Sequence, residues 1–192
     1  MGITKFSYDT LKKHNGIVAG IKMLELGDQN IYFGNNYGDY AKPFFKEKGI
    51  EHVSIDLGTQ IGGAIEADLS KPIDKPEWVN YFDVITNFGT SEHVSNLYEC
   101  FASIHKFCKT GGIMFHENPK TGSWLGHGFH YMTKEFYKGL AALCKYEIIE
   151  LGQHSAMGNT TDGWNIYSVL RKTEDSEFIT EKEFNQLDFK KS

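Results

Sequence analysis

A chain of 192 residues with 40% hydrophobic and 23% charged side chains has the length and composition of one folded domain, which excludes a disordered polymer or a fibrous repeat. Its 25 acidic against 20 basic residues give a formal charge of -5, without the positive excess that phosphate-backbone binding demands, so nucleic acid is not expected as a partner. Cys100, Cys108 and Cys144 form no C-x-x-C pair and imply neither a disulfide framework nor a zinc site, which fits a reducing cytoplasm.

In chain order, the first sixteen residues, MGITKFSYDTLKKHNG, hold no apolar run long enough for a signal peptide or a membrane span. Phe6 occupies the position where N-myristoylation requires Ser or Thr. Residues 1–20 are expected to form an N-terminal helical region. KMLELG, 22–27, predicts a first strand, and the following helix is expected to begin near Pro43 and end at Gly49. HVSIDL, 52–57, predicts a second strand. After the glycine-rich GTQIGG, a short third strand is expected at 65–68, and SKPIDKP leaves little room for a long crossing helix. FDVITNF, 82–88, is a nearly continuous apolar run of the kind buried on both faces of a sheet.

Val94, Leu97, Tyr98, Phe101, Ile104 and Cys108 recur at three and four residues, so a helix is predicted there, stopped by Gly111 and Gly112. GGIMFHENP predicts the next strand, and Thr133 is a candidate cap for a helix facing inward with Phe136, Tyr137, Leu140 and Cys144. YEIIELGQH and NIYSVLRK follow one another across a glycine, asparagine and threonine loop and predict an antiparallel pair. From Thr173 the tail is charged, with Phe178, Phe184, Leu187 and Phe189 as its large apolar residues; it forms either a docked helix or a frayed end. No linker or repeat interrupts the chain. One domain, 1–192, is expected, with its core at 20–172 and a charged tail at 173–192. The fold class is α/β, a mostly parallel seven-stranded Rossmann-like sheet with helices on both faces and a terminal antiparallel hairpin.

In such sheets ligands bind beyond the carboxyl ends of the strands, and acidic residues fall at three successive ends. Glu25 precedes Gly27, whose missing Cβ permits a tight turn close to a ligand. Asp56 ends the second strand, where a carboxylate can accept from both hydroxyls of a ribose, and Asp68 follows the third, placed to accept from an exocyclic amine. Together these residues describe a nucleoside with a cationic tail.

The series LELGDQ, SIDL, ADLSKP and FDVITNFGTSEHV resembles the motifs of the class I S-adenosylmethionine-dependent methyltransferases, over roughly residues 20–172. The EHV at 92–94 resembles the same tripeptide in the branch containing the ubiquinone-biosynthesis methyltransferases. The resemblance implies S-adenosylmethionine as cofactor, with Glu25 on the methionine amino group and Gly27, Asp28 and Gln29 along the methionine portion. It further implies Asp56 and Leu57 at the ribose, Asp68 and Leu69 at the adenine, and Asn87, Phe88 and Gly89 beside the sulfonium. The chain departs from the family at Gln29, where a second glycine is usual; Gln29 either supplies a side-chain contact instead or weakens the loop.

Glu92 and His93 serve the site or merely cap the helix that follows. The segment after the fifth strand carries His116, Glu117, His127 and His130, whose spacing matches no zinc pattern, so no metal is expected. For an acceptor that must lose a proton, His130, then His127 and His116, are the candidate bases. The acceptor is expected to be a small molecule, a metabolite or a sugar. A non-catalytic binding protein is the main alternative. A nicotinamide oxidoreductase is weaker, because GDQNIYFG lacks G-x-G-x-x-G. Oligomeric state is not legible.

Overall fold

The computed structural model describes residues 2–58, 61–156 and 163–191. Its centre is a seven-stranded sheet made of β1 (Lys22–Leu26), β2 (Glu51–Asp56), β3 (Ile65–Glu66), β4 (Phe82–Phe88), β5 (Cys108–Pro119), β6 (Tyr146–Ser155) and β7 (Trp164–Lys172). The spatial order is 3-2-1-4-5-7-6. Pairings are parallel from β3 to β5, and β7 lies antiparallel to both β5 and β6. The α/β architecture and the reversed terminal hairpin are thus as the sequence predicted. The loop expected between β6 and β7 falls largely on 157–162, outside the described residues, as do 59–60 of the glycine-rich segment.

Helices α1 (Lys5–Lys13), α2 (Ala41–Glu47), α3 (Leu97–Phe107), α4 (Lys134–Cys144) and the single turn α5 (Glu181–Phe184) cover the sheet. Successive residues of a strand face opposite sides, and the burial divides accordingly. Leu24, Ile85, Met114 and Leu170 pack with α3 and α4, while their neighbours Met23, Val84, Phe115 and Val169 pack with residues of α1 and α2. Among the described residues no helix is long and apolar enough to cross a membrane.

Three local outcomes differ from the sequence reading or resolve it. Helix α2 starts at Ala41, two residues ahead of Pro43; proline is tolerated there because the N–H groups of a first turn have no helical partner. Helix α3 ends at Phe107, and Gly111 and Gly112 lie inside β5 rather than stopping a helix. Its last carbonyls are capped from the turn before β4, by Asn80 N–H on Lys106 O at 2.9 Å and Tyr81 N–H on Phe107 O at 3.1 Å. The glycines serve a bulge instead: the register slips between Phe82–Cys108 and Val84–Ile113, and Gly111 adopts φ +84. The tail docks. Thr180 and Glu183 form a capping box, Phe184 is fully buried, and Lys190–Lys191 pair with His130–Tyr131.

Lys172 is 1% exposed, its Nζ donating to the carbonyls of His105 at 3.0 Å and Cys108 at 3.2 Å. These bonds tie β7 to the junction of α3 and β5. Lys172→Met preserves the packing but strands both carbonyls. Urea unfolding is expected to show a loss of about 2–4 kcal/mol.

Candidate active site

The strand order reverses at β1, flanked by β2 on one side and β4 on the other, and beyond the carboxyl ends of these strands lies a cavity of about 500 Å³. That size suits a cofactor. Gly27, Asp28, Gln29, Asp56, Leu57, Asp68 and Leu69 all line it, so the structure brings most of the sequence-predicted cofactor residues into one space. Asp56 organises its floor: Oδ2 accepts from Asp28 N–H at 2.9 Å and Oδ1 from Gly58 N–H at 2.6 Å. The Asp28 carboxylate accepts in turn from Gly62 N–H at 2.7 Å, drawing the loop after β2 toward the loop after β1. Asp68 Oδ1 accepts from the hydroxyl and N–H of Ser70 at 2.6 and 2.9 Å. These bonds, with Lys71 at 3.1 Å, hold the Asp68 carboxyl below the usual carboxylate range, so it stays ionised.

The loop after β1 shows what Gln29 does. Gly27 has φ +86, and a Cβ there would collide with Gln29 Nε2. The Gln29 amide donates to Leu26 O at 3.1 Å and to Thr90 Oγ1 at 3.0 Å, and the Thr90 hydroxyl donates to the same Leu26 carbonyl at 2.7 Å. A side chain thus fastens the turn. Glu25 is 1% exposed and does not line the cavity; Oε1 accepts from Gln29 N–H at 3.2 Å. Glu25 Oε2 faces the buried His52 Nε2 at 3.5 Å, and Gln29 Oε1 is a buried acceptor with no hydrogen-bond donor among the described residues.

Asn87, Phe88 and Gly89, at the end of β4, do not line this first cavity. Phe88 and Gly89 border a second of about 300 Å³, which also has Tyr32, Glu92, Glu117, Trp124, His127 and Asn165 in its walls. Glu117 is 5% exposed and ionised despite its burial. Its Oε1 accepts from His154 and Asn165 at 2.9 Å each, its Oε2 from Ser7 at 2.7 Å, and its carboxyl lies below the ordinary value. Among the described residues, no lysine or arginine lines this space. Burial pushes the Glu92 carboxyl up to about 7, against the stabilising bond from Asn118 Nδ2 at 2.9 Å.

The three candidate histidines fare differently. His127 lines the second cavity. His116 lies in the core, stacked on Phe101 with centroids 5.4 Å apart, and burial pushes its imidazole down to about 3. His130 is 2% exposed, its ring against Phe129 and Phe189. Neither borders the two cavities. The sequence spacing implied no metal, yet the fold brings ligand atoms of Glu92, His93 and His127 within 4.8 Å of one another. Glu92 lies in a short 3-10 turn, Ser91–His93, separate from the helix it was expected either to cap or to leave for the site.

Sequence reasoning missed Thr90, Val94 and Ser95 in the first cavity, and Tyr32 and Asn165 in the second; His93, which it weighed between site and cap, lines the first. Thr90 to Ser95 directly follow β4, and their place beyond a strand end was the available signal. Nothing local marks Tyr32 or Asn165.

No family model matches the chain, and no curated protein matches it by sequence. Solved structures do. The chain is similar to Burkholderia thailandensis 1,6-didemethyltoxoflavin-N1-methyltransferase with bound 1,6-didemethyltoxoflavin and S-adenosylhomocysteine, at TM-score 0.64 and 16% identity, over 88% of this chain and 78% of that one. It is also similar to the [4+2]-cyclase SpnF, at TM-score 0.65 and 14% identity over 87% and 80% of the two chains. The N-methyltransferase NodS from Bradyrhizobium japonicum WM9 aligns at TM-score 0.56 and 15% identity over 88% and 97%. The fold is the Rossmann-like fold of S-adenosylmethionine-dependent methyltransferases.

Proposed function

We propose that the protein binds S-adenosylmethionine in the first cavity and directs its methyl group to a small molecule held in the second. The observation that carries this reading is the single cavity in which Gly27, Asp56 and Asp68 meet at three adjacent strand ends. The methyltransferase and its bound S-adenosylhomocysteine among the similar structures support it. So does Gln29 Oε1 in the cavity wall, a buried acceptor with no hydrogen-bond donor among the described residues, which fits the ammonium end of the cofactor's methionine, since a buried acceptor without a donor is costly until one arrives.

S-adenosylmethionine supplies a methyl group on a positively charged sulfur. The chain's own part is to hold and align. Asp56 accepts from the ribose hydroxyls; Asp68 accepts from the adenine amine beside Leu69. Phe88 and Gly89, where β4 meets the second cavity, set the direction of transfer, so much of the rate comes from alignment and exclusion of water. Of the three candidate bases, His127 is the one within the acceptor space, where it can take a proton from a hydroxyl or amine. The walls of that space, with Glu117 ionised and no lysine or arginine among the described residues, favour a neutral or cationic acceptor over an anionic one.

Calorimetry tests the reading. Saturable binding of S-adenosylmethionine and S-adenosylhomocysteine is the expected result. Binding of NADH in their place would overturn it in favour of a nicotinamide enzyme. Binding without release of S-adenosylhomocysteine on any offered acceptor would make the chain a cofactor-binding partner protein.

A further inference from the structure

We propose that Glu92, His93 and His127 together bind one divalent transition-metal ion at the seam of the two cavities. Glu92 Oε1 stands 3.9 Å from Nε2 of each histidine. Ligand atoms held about 2.1 Å from one cation lie somewhat closer together than that. The two rings therefore need only a small inward rotation, which their side-chain exposure of 37% and 33% leaves room for.

The carboxylate is aimed at the pair by groups that a simple ion pair would not require. Glu92 is 1% exposed, and its other oxygen, Oε2, accepts from Asn118 Nδ2 at 2.9 Å. Asn118 is itself locked, donating to Ser91 Oγ at 3.0 Å and accepting from Tyr137 Oη at 2.5 Å. That is the outer shell that orients a metal-binding carboxylate. The loop carrying His127 is fastened to the same turn. Phe129 N–H donates to Glu92 O at 2.7 Å, and His127 N–H donates to Tyr131 Oη at 2.9 Å and to Trp124 O at 3.0 Å. Gly128 allows this approach, since a Cβ there would meet Glu92 O at 2.8 Å.

Two imidazoles and one carboxylate are a donor set for zinc, manganese, iron(II) or cobalt with open positions, whereas calcium and magnesium prefer oxygen alone. His93 lines the first cavity; Glu92 and His127 line the second. The role of the ion, unlike the site, rests on the methyl-transfer reading. An acceptor hydroxyl bound to the ion loses its proton to water. Its oxygen forms a bond to the methyl carbon as the carbon–sulfur bond breaks, and that electron pair stays on sulfur, which becomes a neutral thioether. His127 is then a ligand, and the ion takes over from it the task of making the acceptor nucleophilic.

Cobalt(II) titration followed by visible absorption, with zinc content measured after loading and desalting, tests the site. One equivalent is expected. His93→Gln and His127→Gln, at partly exposed positions, should keep wild-type thermal unfolding yet each weaken binding at least tenfold. His14→Gln, at a histidine paired with Glu150 elsewhere, should leave it unchanged. No uptake, or uptake indifferent to His93 and His127, overturns the proposal. S-adenosylmethionine calorimetry on the same samples separates the two readings: cofactor binding without metal removes this site alone, and metal binding without cofactor upholds the site while removing its role.

Discussion

Asp56→Asn is expected to lower affinity for S-adenosylmethionine by at least about 100-fold, because each hydrogen bond to a charged acceptor is worth about 1.5–3 kcal/mol and the ribose supplies two. The change removes the charge and also places an amide donor against backbone donors. Asp56 already accepts from the N–H groups of Asp28 and Gly58, and an asparagine can accept through one atom only. One of the two loops must therefore release. Calorimetry on the variant measures the loss directly, and circular dichroism confirms the fold, since Asp56 lies at a strand end. Affinity within threefold of wild type would show that the ribose is held elsewhere. Asp68→Asn serves as the internal comparison. It removes an ionised acceptor without loosening both loops, so its effect should be the smaller.

The second large effect concerns acid. Ser91 N–H donates to Asn87 Oδ1 at 3.0 Å, which turns Asn87 Nδ2 toward His116 Nδ1 at 3.2 Å. Nδ1 is thus the acceptor and carries no proton in the folded state. An ordinary histidine titrates near 6.5, whereas burial holds His116 at about 3. Between those values the unfolded chain binds a proton that the folded chain refuses, so stability falls as pH drops from about 6.5 toward about 3. The slope is about 1.4 kcal/mol per pH unit and the total about 5 kcal/mol. Glu92, raised by burial to about 7, acts in the opposite sense between about 4.5 and 7, so the wild-type curve alone does not isolate the histidine. His116→Gln keeps an acceptor for Asn87 and does not titrate. Urea unfolding at pH 6.5, 5.5 and 4.5 should show the wild type losing about 1 kcal/mol more than the variant over the first unit and about 1.3 kcal/mol more over the second. Parallel curves would mean that His116 does not carry the acid sensitivity.

The same histidine shows where sequence reading stopped. The sequence reading put His130 first among the candidate bases, ahead of His127 and His116, because it could not see which side of the sheet each would take. In β5 the residues alternate: His116 turns toward Phe101 of α3, while its neighbour Glu117 turns toward Ser7 of α1 and the second cavity. Register fixes which side each takes, and the register of β5 depends on the bulge at Gly111 and Gly112, a pair that the sequence reading placed at a helix end. Strand β4, in contrast, was legible to the residue, since its apolar run is buried on both faces and Gly89 closes it. The first cavity was legible for a related reason: β1, β2 and β3 each end in a local motif, and a parallel sheet gathers those ends at one edge. The second cavity has no such signal. It joins Tyr32, on a loop near the amino terminus, to Asn165 at the start of β7, a meeting that no local pattern records.

Gln29, Thr90 and Gly27 behave as a genetic unit. In a saturation-mutagenesis experiment Gly27 should remain intolerant even where Gln29 has become glycine, because φ +86 strains any side chain, however much space is cleared. Thr90 should instead show epistasis. Thr90→Ala removes the bonds to both the Leu26 carbonyl and the Gln29 amide, but in a Gln29→Gly background only the first is left to lose, so the double substitution costs less than the sum of the singles. A lineage that restored the second glycine would thereby relax selection on position 90.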